Sequence, residues 1–384
     1  MFFVPVIAAI LASHQSVAPA VVTVMFVVFY GASSVLSPYV GRVADRSGRS
    51  AALMALGLAL VSLGLLGFYV ALSATHGAQL VATLLISAFL TGTGSAFYHP
   101  LGGSMLQAAF RDRRMGVALG INGAMGGLGR ALYPSLYFAA AAVIAGYGSF
   151  VLFAGVGFAA AASVLVGTRR PAEASTDDAR PTGPRTSEAV TRGIVALTAV
   201  TFLRSAATQG IATWIPTYLA TEKGLGVSAD LGLSVSTMYA AAIVGQPLFG
   251  LLVDRFEKRL VLAASSAGAA VAIVGYLALG SGWAGLAWLF AFGFFVFSGF
   301  PLLISMTADY VPRNSTSLAN ALVWGIGSTA GGAVGPLATG ALIVNDYGRL
   351  SFAFVVLAGA ALLSALATAF VPRAPRASRM PAFG

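Results

Sequence analysis

The chain contains a series of apolar runs, each roughly the length of a membrane-spanning helix, that recur from residue 18 to residue 371. A helix needs about 20 apolar residues to cross the ~30 Å hydrocarbon core of a bilayer. Because 58% of the residues are hydrophobic and only 9% are charged, a water-exposed globule of this composition cannot bury its apolar surface. The sequence therefore predicts an all-α membrane protein, since the alternation typical of membrane β-strands is absent.

Eleven membrane spans are predicted from these runs. Their approximate bounds are 18–40, 50–72, 78–106, 115–141, 145–167, 194–219, 231–252, 259–280, 285–306, 319–342 and 351–371. A shorter apolar run, Phe2–Ala12, comes before them and has about half the length needed to cross. No basic region precedes this run as it would in a signal peptide, so we expect a truncated first helix that begins roughly 15–25 residues upstream.

Lys and Arg are distributed unevenly between the loops. Eighteen lie on one side of the predicted membrane and only Lys223 and Arg349 lie on the other. The positive-inside rule places the first set and the C-terminus in the cytoplasm, so we expect a multi-pass protein of the inner or plasma membrane, surrounded by lipid. The net charge of +10 does not indicate nucleic-acid binding, because the basic residues are scattered between apolar runs.

The longest polar stretch lies near the middle of the chain and is rich in Pro, Thr, Arg and acidic residues, a composition typical of a linker. The predicted organisation is an N-terminal transmembrane bundle (1–167), a cytoplasmic linker (168–193), a C-terminal transmembrane bundle (194–372) and a cytoplasmic tail (373–384). With the half-helix at the start, each bundle contains six helices.

The two bundles repeat each other in sequence. Five residues recur at an offset of 209: Tyr30, Pro38, Gly41, Asp45 and Arg46 match Tyr239, Pro247, Gly250, Asp254 and Arg255. An internal duplication of a six-helix unit is the arrangement that secondary transporters use to place a site between two halves. A duplicated membrane protein without transport activity is the alternative interpretation.

The segment Gly41–Ser50 resembles the signature of the major facilitator superfamily, Gly-x3-Asp-Arg-x-Gly-Arg-Arg/Lys, which lies between the second and third helices. It departs from that signature only at Ser50, and its repeat has Glu257 where Gly48 stands. Glycines at 41 and 48 suit a tight turn, and Asp45 can accept hydrogen bonds from arginines. The resemblance implies the major facilitator fold and an inner gate formed by Gly41, Asp45, Arg46, Gly48, Arg49, Gly250, Asp254 and Arg255.

Two further segments, Ala96–Pro100 and Phe202–Ser205, are similar to the fosmidomycin-resistance group of efflux transporters. This similarity implies drug export. An acidic residue suited to proton coupling is common in the first helix of that group, and this chain begins after that point.

Two arginines, Arg130 and Arg204, fall inside the predicted spans at ~15–22 Å from the cytoplasmic end. A buried arginine costs at least ~2.5–3.5 kcal/mol on insertion scales, so it needs water or an anionic partner. No Asp or Glu lies clearly within a span. The counter-charge is therefore either a carboxylate of the missing first-helix segment or an anionic substrate; alternatively the arginines are structural and bind backbone carbonyls.

Helical spacing places other polar side chains on the same faces as these arginines. Thr201 and Thr208 share a face with Arg204, and Tyr133 shares one with Arg130; these five residues, and Tyr30 and Tyr239 on other spans, are the candidate substrate-binding residues. His99 is the only histidine within a span, and it is a candidate for proton coupling because its ordinary pKa lies near neutral pH. A neutral histidine bonded to the backbone and to Ser95 is the alternative.

These observations predict a secondary active transporter that works as a monomer by alternating access and uses no cofactor. The expected cargo is a small molecule, anionic in charge, and protons are the expected coupling ion. Proton-coupled efflux of a drug or small organic anion is the main hypothesis; ion-coupled uptake and a non-transporting sensor or channel are the alternatives. An ATP-driven pump would need a Gly-x4-Gly-Lys-Ser/Thr loop, and hydrolysis would need a nucleophile set; the sequence has neither, so an enzyme is not expected.

Overall fold

The computed structural model describes residues 3–14, 17–47, 49–109, 115–167, 190–311 and 319–373. Within these ranges the chain is helical and has no β-strand. The α-helices are α1 Phe3–His14, α2 Pro19–Ser47, α3 Ser50–Ala74, α4 Gly77–Ala109, α5 Met115–Val143, α6 Ser149–Gly167, α7 Arg192–Thr221, α8 Ala229–Arg255, α9 Lys258–Leu279, α10 Gly282–Phe297, α11 Phe300–Ala308, α12 Gly331–Ile343 and α13 Leu350–Ala367. Most of the predicted linker and tail lies outside the described residues.

Ten helical stretches of the described chain are long and apolar enough to cross a membrane, which confirms the predicted class. Most predicted bounds agree with the helices to within a few residues, as for α3 and α9, but α2 continues to Ser47, beyond the predicted bound at residue 40. The span predicted at 115–141 is occupied by α5, which has 29 residues but is not among the ten. The first helix, α1, has 12 residues and is too short to cross alone.

The internal duplication has a structural counterpart. Shifting the bounds of α2 by the 209-residue offset gives 228–256, which is within one residue of α8 at each end. Both helices contain a proline, Pro38 and Pro247, at matching positions.

The glycines at 41 and 48 predict a turn that begins at Gly41, but the turn after α2 is shorter. Helix α2 continues through Gly41 to Ser47, so Gly41 lies inside a helix and not in a turn. Glycine accepts helical backbone angles as readily as turn angles. The side chains of Val40 and Ala44 are buried in a core cluster with Phe97, and this packing stabilises the last turns of α2 as helix.

Contacts between Cα atoms divide the chain into two compact units. Unit 1 contains residues 1–177, 215–236 and 344–348, and unit 2 contains residues 178–214, 237–343 and 349–384. In unit 1, α3 packs against α4 and α6, and α4 also packs against α2. Two segments of the second sequence half, 215–236 and 344–348, therefore belong to the same compact unit as the first half.

In unit 2, α9 packs against α10 and α13. A Cβ atom on Gly331 of α12 would lie 2.5 Å from the carbonyl oxygen of Phe202 on α7, so this glycine lies at a close helix contact. The segment before α12, Ala321–Ala330, is a π-helix of ten residues. Helices α10 and α11 occupy one predicted span, and Ser298 and Gly299 separate them.

Candidate substrate-binding and gating sites

Unit 2 has a polar centre at the break between α10 and α11. Pro301 has no N–H, so it cannot donate to the carbonyl oxygen of Phe297 four residues earlier. The side chain of Gln246 on α8 lies 3.4 Å from this oxygen and donates to it. The apolar run predicts one continuous helix over 285–306, and this prediction is wrong at the break, which Gly299 and Pro301 mark in the sequence.

Arg204 of α7 lies at this polar centre and is only 4% exposed. Its Nη2 atom donates to the carbonyl oxygen of Phe295 at 2.6 Å and to Ser265 Oγ on α9 at 2.8 Å. The position that a Cβ atom would take on Gly299 is 3.6 Å from both terminal nitrogens, so Gly299 lies against the guanidinium. The structure thus connects Arg204 to helices α9 and α10 and to the break between α10 and α11.

The charge of Arg204 has no partner among the described side chains, because none of their carboxylates forms an ion pair with it. Its Nε atom is also buried without a hydrogen-bond acceptor in the described part of the chain. A fixed positive charge inside a membrane bundle is costly unless an anion or water approaches it. The guanidinium therefore retains the capacity to bind an anion.

The two threonines predicted beside Arg204 are buried but do not bond its guanidinium. Thr208 Oγ1 donates to the carbonyl oxygen of Arg204 within the same helix, at 2.9 Å. Thr201 lies against the π-helical segment, where its Cβ is 3.0 Å from the Cβ position of Gly327. Tyr239 of α8 is buried with its ring centroid 5.1 Å from that of Phe297, close to the break.

In unit 1, Arg130 has a different environment. Its side chain is half-buried, and Nε donates to the carbonyl oxygen of Gly126 in the same helix at 3.2 Å. Tyr133, one turn further along α5, is buried with its ring centroid 3.8 Å from that of Phe3 and 5.3 Å from that of Phe153. The Tyr133 hydroxyl has no partner among the described residues.

Two other candidates of unit 1 lie on separate helices. Tyr30 is half-buried on α2, with its ring 5.0 Å from that of Phe29. His99 lies on α4, but its side chain is outside the described part of the structure.

The gating residues predicted from the family signature lie at the ends of α2 and α8. Gly41 and Gly250 are half-buried, and Arg49 and Arg255 are exposed. The side chains of Asp45, Arg46 and Asp254 and the whole of Gly48 lie outside the described residues.

Unit 2 has charged contacts at the start of α9 that sequence spacing did not indicate. Lys258 Nζ lies 2.7 Å from Asp309 Oδ2 and also donates to the carbonyl oxygen of Ser305, at the end of α11. Glu257, the residue that departs from the glycine of the signature, accepts from Arg259. The residue that departs from the family signature, Glu257, therefore forms an ion pair with Arg259.

Tyr310 follows Asp309 and donates its hydroxyl to the carbonyl oxygen of Pro372 at 2.5 Å. Burial raises the pKa of this hydroxyl, and the carboxylates of Asp309 and Glu257 add to the rise while Arg259 opposes it. Tyr310 therefore remains a neutral donor at physiological pH and ties the end of α11 to the chain after α13.

A second set of contacts lies within unit 1 and joins segments of the two sequence halves. Ser236 Oγ on α8 accepts from the hydroxyl of Ser135 at 2.8 Å and from its backbone N–H at 3.1 Å. Gly232, one turn before Ser236, lies against α5, where its Cβ position is 2.8 Å from a ring carbon of Phe138. A larger side chain at 232 would separate the two helices.

The loop before α13 also contacts the first half within unit 1. Asn345 Oδ1 accepts from the backbone N–H of Ala20 at 3.0 Å, in the first turn of α2, and the hydroxyl of Tyr347 donates to the carbonyl oxygen of Val17 at 2.7 Å. By the predicted orientation these contacts and the serine pair lie at the extracellular end of the helices.

Comparisons with known proteins agree with this architecture. The sequence model of the Major Facilitator Superfamily matches residues 1–322 and 225–383. A search of curated proteins found no match. A crystal structure of a mutant of the peptide transporter POT has a TM-score of 0.72 and 18% identity, and the alignment covers 97% of this chain and 92% of that chain.

A bacterial homologue of the lysosomal transporter Spinster, crystallised in an inward-facing and occupied conformation, has a TM-score of 0.63 and 17% identity, with coverage of 96% and 92%. Because the identities are only 18% and 17%, the similarity to these two structures shows the fold alone. The fold class is that of membrane transporters built from two six-helix bundles. This chain belongs to the Major Facilitator Superfamily, and it is a membrane transporter and not an enzyme.

Proposed function

We propose that this transporter exports a small organic anion or drug in exchange for protons, by alternating access. The observation that carries the proposal is the buried guanidinium of Arg204, which binds a backbone carbonyl and Ser265 but has no carboxylate partner among the described residues. An anionic substrate, for example a phosphonate or carboxylate, would supply the missing charge and match the planar donor fork of arginine.

The break between α10 and α11 supports this location for the substrate. Secondary transporters commonly build their midplane sites from interrupted helices, whose free backbone groups bind the cargo. Ser298 at the break is fully buried, and its hydroxyl has no partner among the described residues. In this proposal Arg204 and Tyr239 contact the substrate from unit 2, with Thr201 and Thr208 shaping the same helix face. Arg130, Tyr133 and Tyr30 are the further proposed substrate-binding residues.

The direction and the coupling ion are also parts of the proposal. The similarity of Ala96–Pro100 and Phe202–Ser205 to the fosmidomycin-resistance group supports export. His99 is the proposed proton carrier, because a histidine titrates near neutral pH. The residues at the ends of α2 and α8 form the proposed inner gate. The proposed setting is a monomer in the inner or plasma membrane with a cytoplasmic C-terminus.

A flux assay in proteoliposomes tests the function. The purified protein is reconstituted, a pH gradient is imposed, and the movement of a phosphonate drug is compared with that of a neutral drug of similar size. We expect the phosphonate to move against its gradient and the movement to stop when a protonophore removes the pH gradient. Flux of the neutral drug alone would contradict an anionic substrate, and flux that ignores the protonophore would contradict proton coupling.

Alternating access can be tested at the serine pair of unit 1. The chain contains no cysteine, so a Ser135→Cys, Ser236→Cys variant has one possible disulfide, and the 2.8 Å contact between the hydroxyls brings the side chains within bonding range. If α5 and α8 separate during each cycle, oxidation should stop transport and reduction should restore it. The two single-cysteine variants under the same oxidant are the controls. Full transport by the cross-linked protein would exclude opening at this contact.

A further inference from the structure

Unit 2 has a groove where α9 begins and α13 ends, at the ends of two helical stretches long enough to cross a membrane. Its volume is about 630 Å³, and it is lined by Arg259, Leu260, Ala365, Leu366, Thr368 and Arg373, among others. Because α9 packs directly against α13, both walls of the groove belong to one compact unit.

The groove has a basic end. Arg259 is held by the backbone, since Nη1 donates to the carbonyl oxygen of Val371 at 2.9 Å, and its Nε donates to Glu257 at 2.8 Å. Arg373 lies 3.9 Å from the same carboxylate, and its side chain is 83% exposed. Two guanidinium groups thus share one carboxylate, which leaves a net positive charge at the groove.

The remaining walls of the groove are apolar and face outward. Leu260 is 64% exposed and Leu366 is 70% exposed, and Phe370 beside them is 83% exposed. These residues lie within helical stretches that are long and apolar enough to cross a membrane, so in a bilayer their exposed surfaces would face acyl chains. The groove therefore combines a charged end at the membrane surface with apolar walls that continue into the bilayer.

We propose that this groove binds one anionic phospholipid, with its phosphate at Arg373 and Arg259 and an acyl chain along Leu260 and Leu366. Basic clefts between membrane helices recognise acidic lipid headgroups in this way. A soluble anion would use the arginines but gain nothing from the leucines, and a zwitterionic lipid would match the leucines but not the net charge. The combination of both surfaces favours an acidic lipid. The site is separate from the polar centre at Arg204.

Lipid binding can be measured without any transport assay. The full-length protein, purified in a mild detergent, is titrated with phosphatidylglycerol, phosphatidylcholine or inorganic phosphate, and bound lipid is counted by native mass spectrometry. We expect one phosphatidylglycerol to bind at least about fivefold more tightly than phosphatidylcholine, because each basic residue near a membrane surface adds to the attraction of acidic lipid. Inorganic phosphate should not compete.

Three variants locate the site. Arg373→Gln should lower the affinity for phosphatidylglycerol about fivefold. Leu366→Trp should also lower it by filling the groove, without a change of charge. Arg349→Gln, which removes an exposed arginine that is not part of the groove, is the matched control and should bind as the wild type does.

Equal binding of both lipids, competition by phosphate, or undiminished binding by both Arg373→Gln and Leu366→Trp would overturn the proposal. Failure of the flux experiments would leave it intact.

Discussion

Arg130 and Arg204 lie at similar depths within their predicted membrane spans, but their environments in the two units differ. Arg204 of unit 2 is buried and bonded to two other helices, α9 and α10. Arg130 of unit 1 is half-buried, and its Nε atom donates to the carbonyl oxygen of Gly126, four residues earlier in the same helix. The guanidinium of Arg204 joins helices together, whereas the Nε atom of Arg130 bonds within its own helix.

This difference separates two roles that depth alone cannot distinguish. An arginine that joins helices stabilises its unit whether or not substrate is present, while a more accessible arginine can contribute mainly when substrate is bound. Variants at the two positions should therefore differ in how much they change stability and how much they change affinity.

The largest effect is expected for Arg204→Gln. Loss of the charge removes the proposed anion contact and weakens two hydrogen bonds, and bonds to charged groups contribute about 1.5–3 kcal/mol each. We expect transport of an anionic substrate to fall about 10- to 100-fold and the thermal midpoint of the purified protein to fall as well. Arg204→Lys should recover part of the stability. Arg349→Gln serves as the control, and normal flux in a folded Arg204→Gln protein would remove Arg204 from the site.

Arg130→Gln should have a smaller effect, and on a different quantity. Because the side chain is half-buried, its loss should leave the thermal midpoint almost unchanged, while the KM for an anionic substrate rises about fivefold. The comparison is made with Arg204→Gln in the same proteoliposome assay. A drop in stability as large as that of Arg204→Gln would show that the two arginines are equivalent after all.

The charged contacts at the start of α9 provide a third test of unit 2. Lys258→Met should lower the free energy of unfolding by about 1 kcal/mol, the upper range for partly exposed ion pairs. The exchanged pair Lys258→Asp, Asp309→Lys should recover part of that loss, and a double-mutant cycle with the single variants measures the coupling. Additive effects of the two single changes would mean that the 2.7 Å ion pair contributes nothing measurable.

Much of the fold could be predicted because apolar run length and membrane thickness are directly related. The bounds of α3 and α9 follow from their apolar runs, and the match of α2 to α8 follows from the repeated residues. The extent of α2 beyond Gly41 could not be predicted, since it depends on the packing of Val40 and Ala44 against residues distant in sequence.

The candidate site was less predictable for the same reason. The depth of Arg204 follows from its position in the span, but its partners Ser265 and Phe295 lie 61 and 91 residues away. The pairs Ser135–Ser236 and Lys258–Asp309 are likewise set by tertiary packing, and no motif marks them. The break after α10, in contrast, has a local sequence signal in Gly299 and Pro301.

The smallest effect, and the finest test of the comparison, is expected for Tyr133→Phe in unit 1. The ring packs against Phe3 and Phe153, and the substitution preserves this packing, while the buried hydroxyl has no partner among the described residues. Removing an unpaired buried hydroxyl should leave the free energy of unfolding unchanged or raise it by up to about 1 kcal/mol. If bound substrate supplies the missing partner, the KM for that substrate should rise about threefold at the same time, a change that loss of packing would not produce.

Tyr137→Phe, in the same aromatic cluster but not a proposed substrate contact, should leave KM unchanged. A lower thermal midpoint for Tyr133→Phe would mean that its hydroxyl is bonded within unit 1, and it would take this residue out of the proposed site.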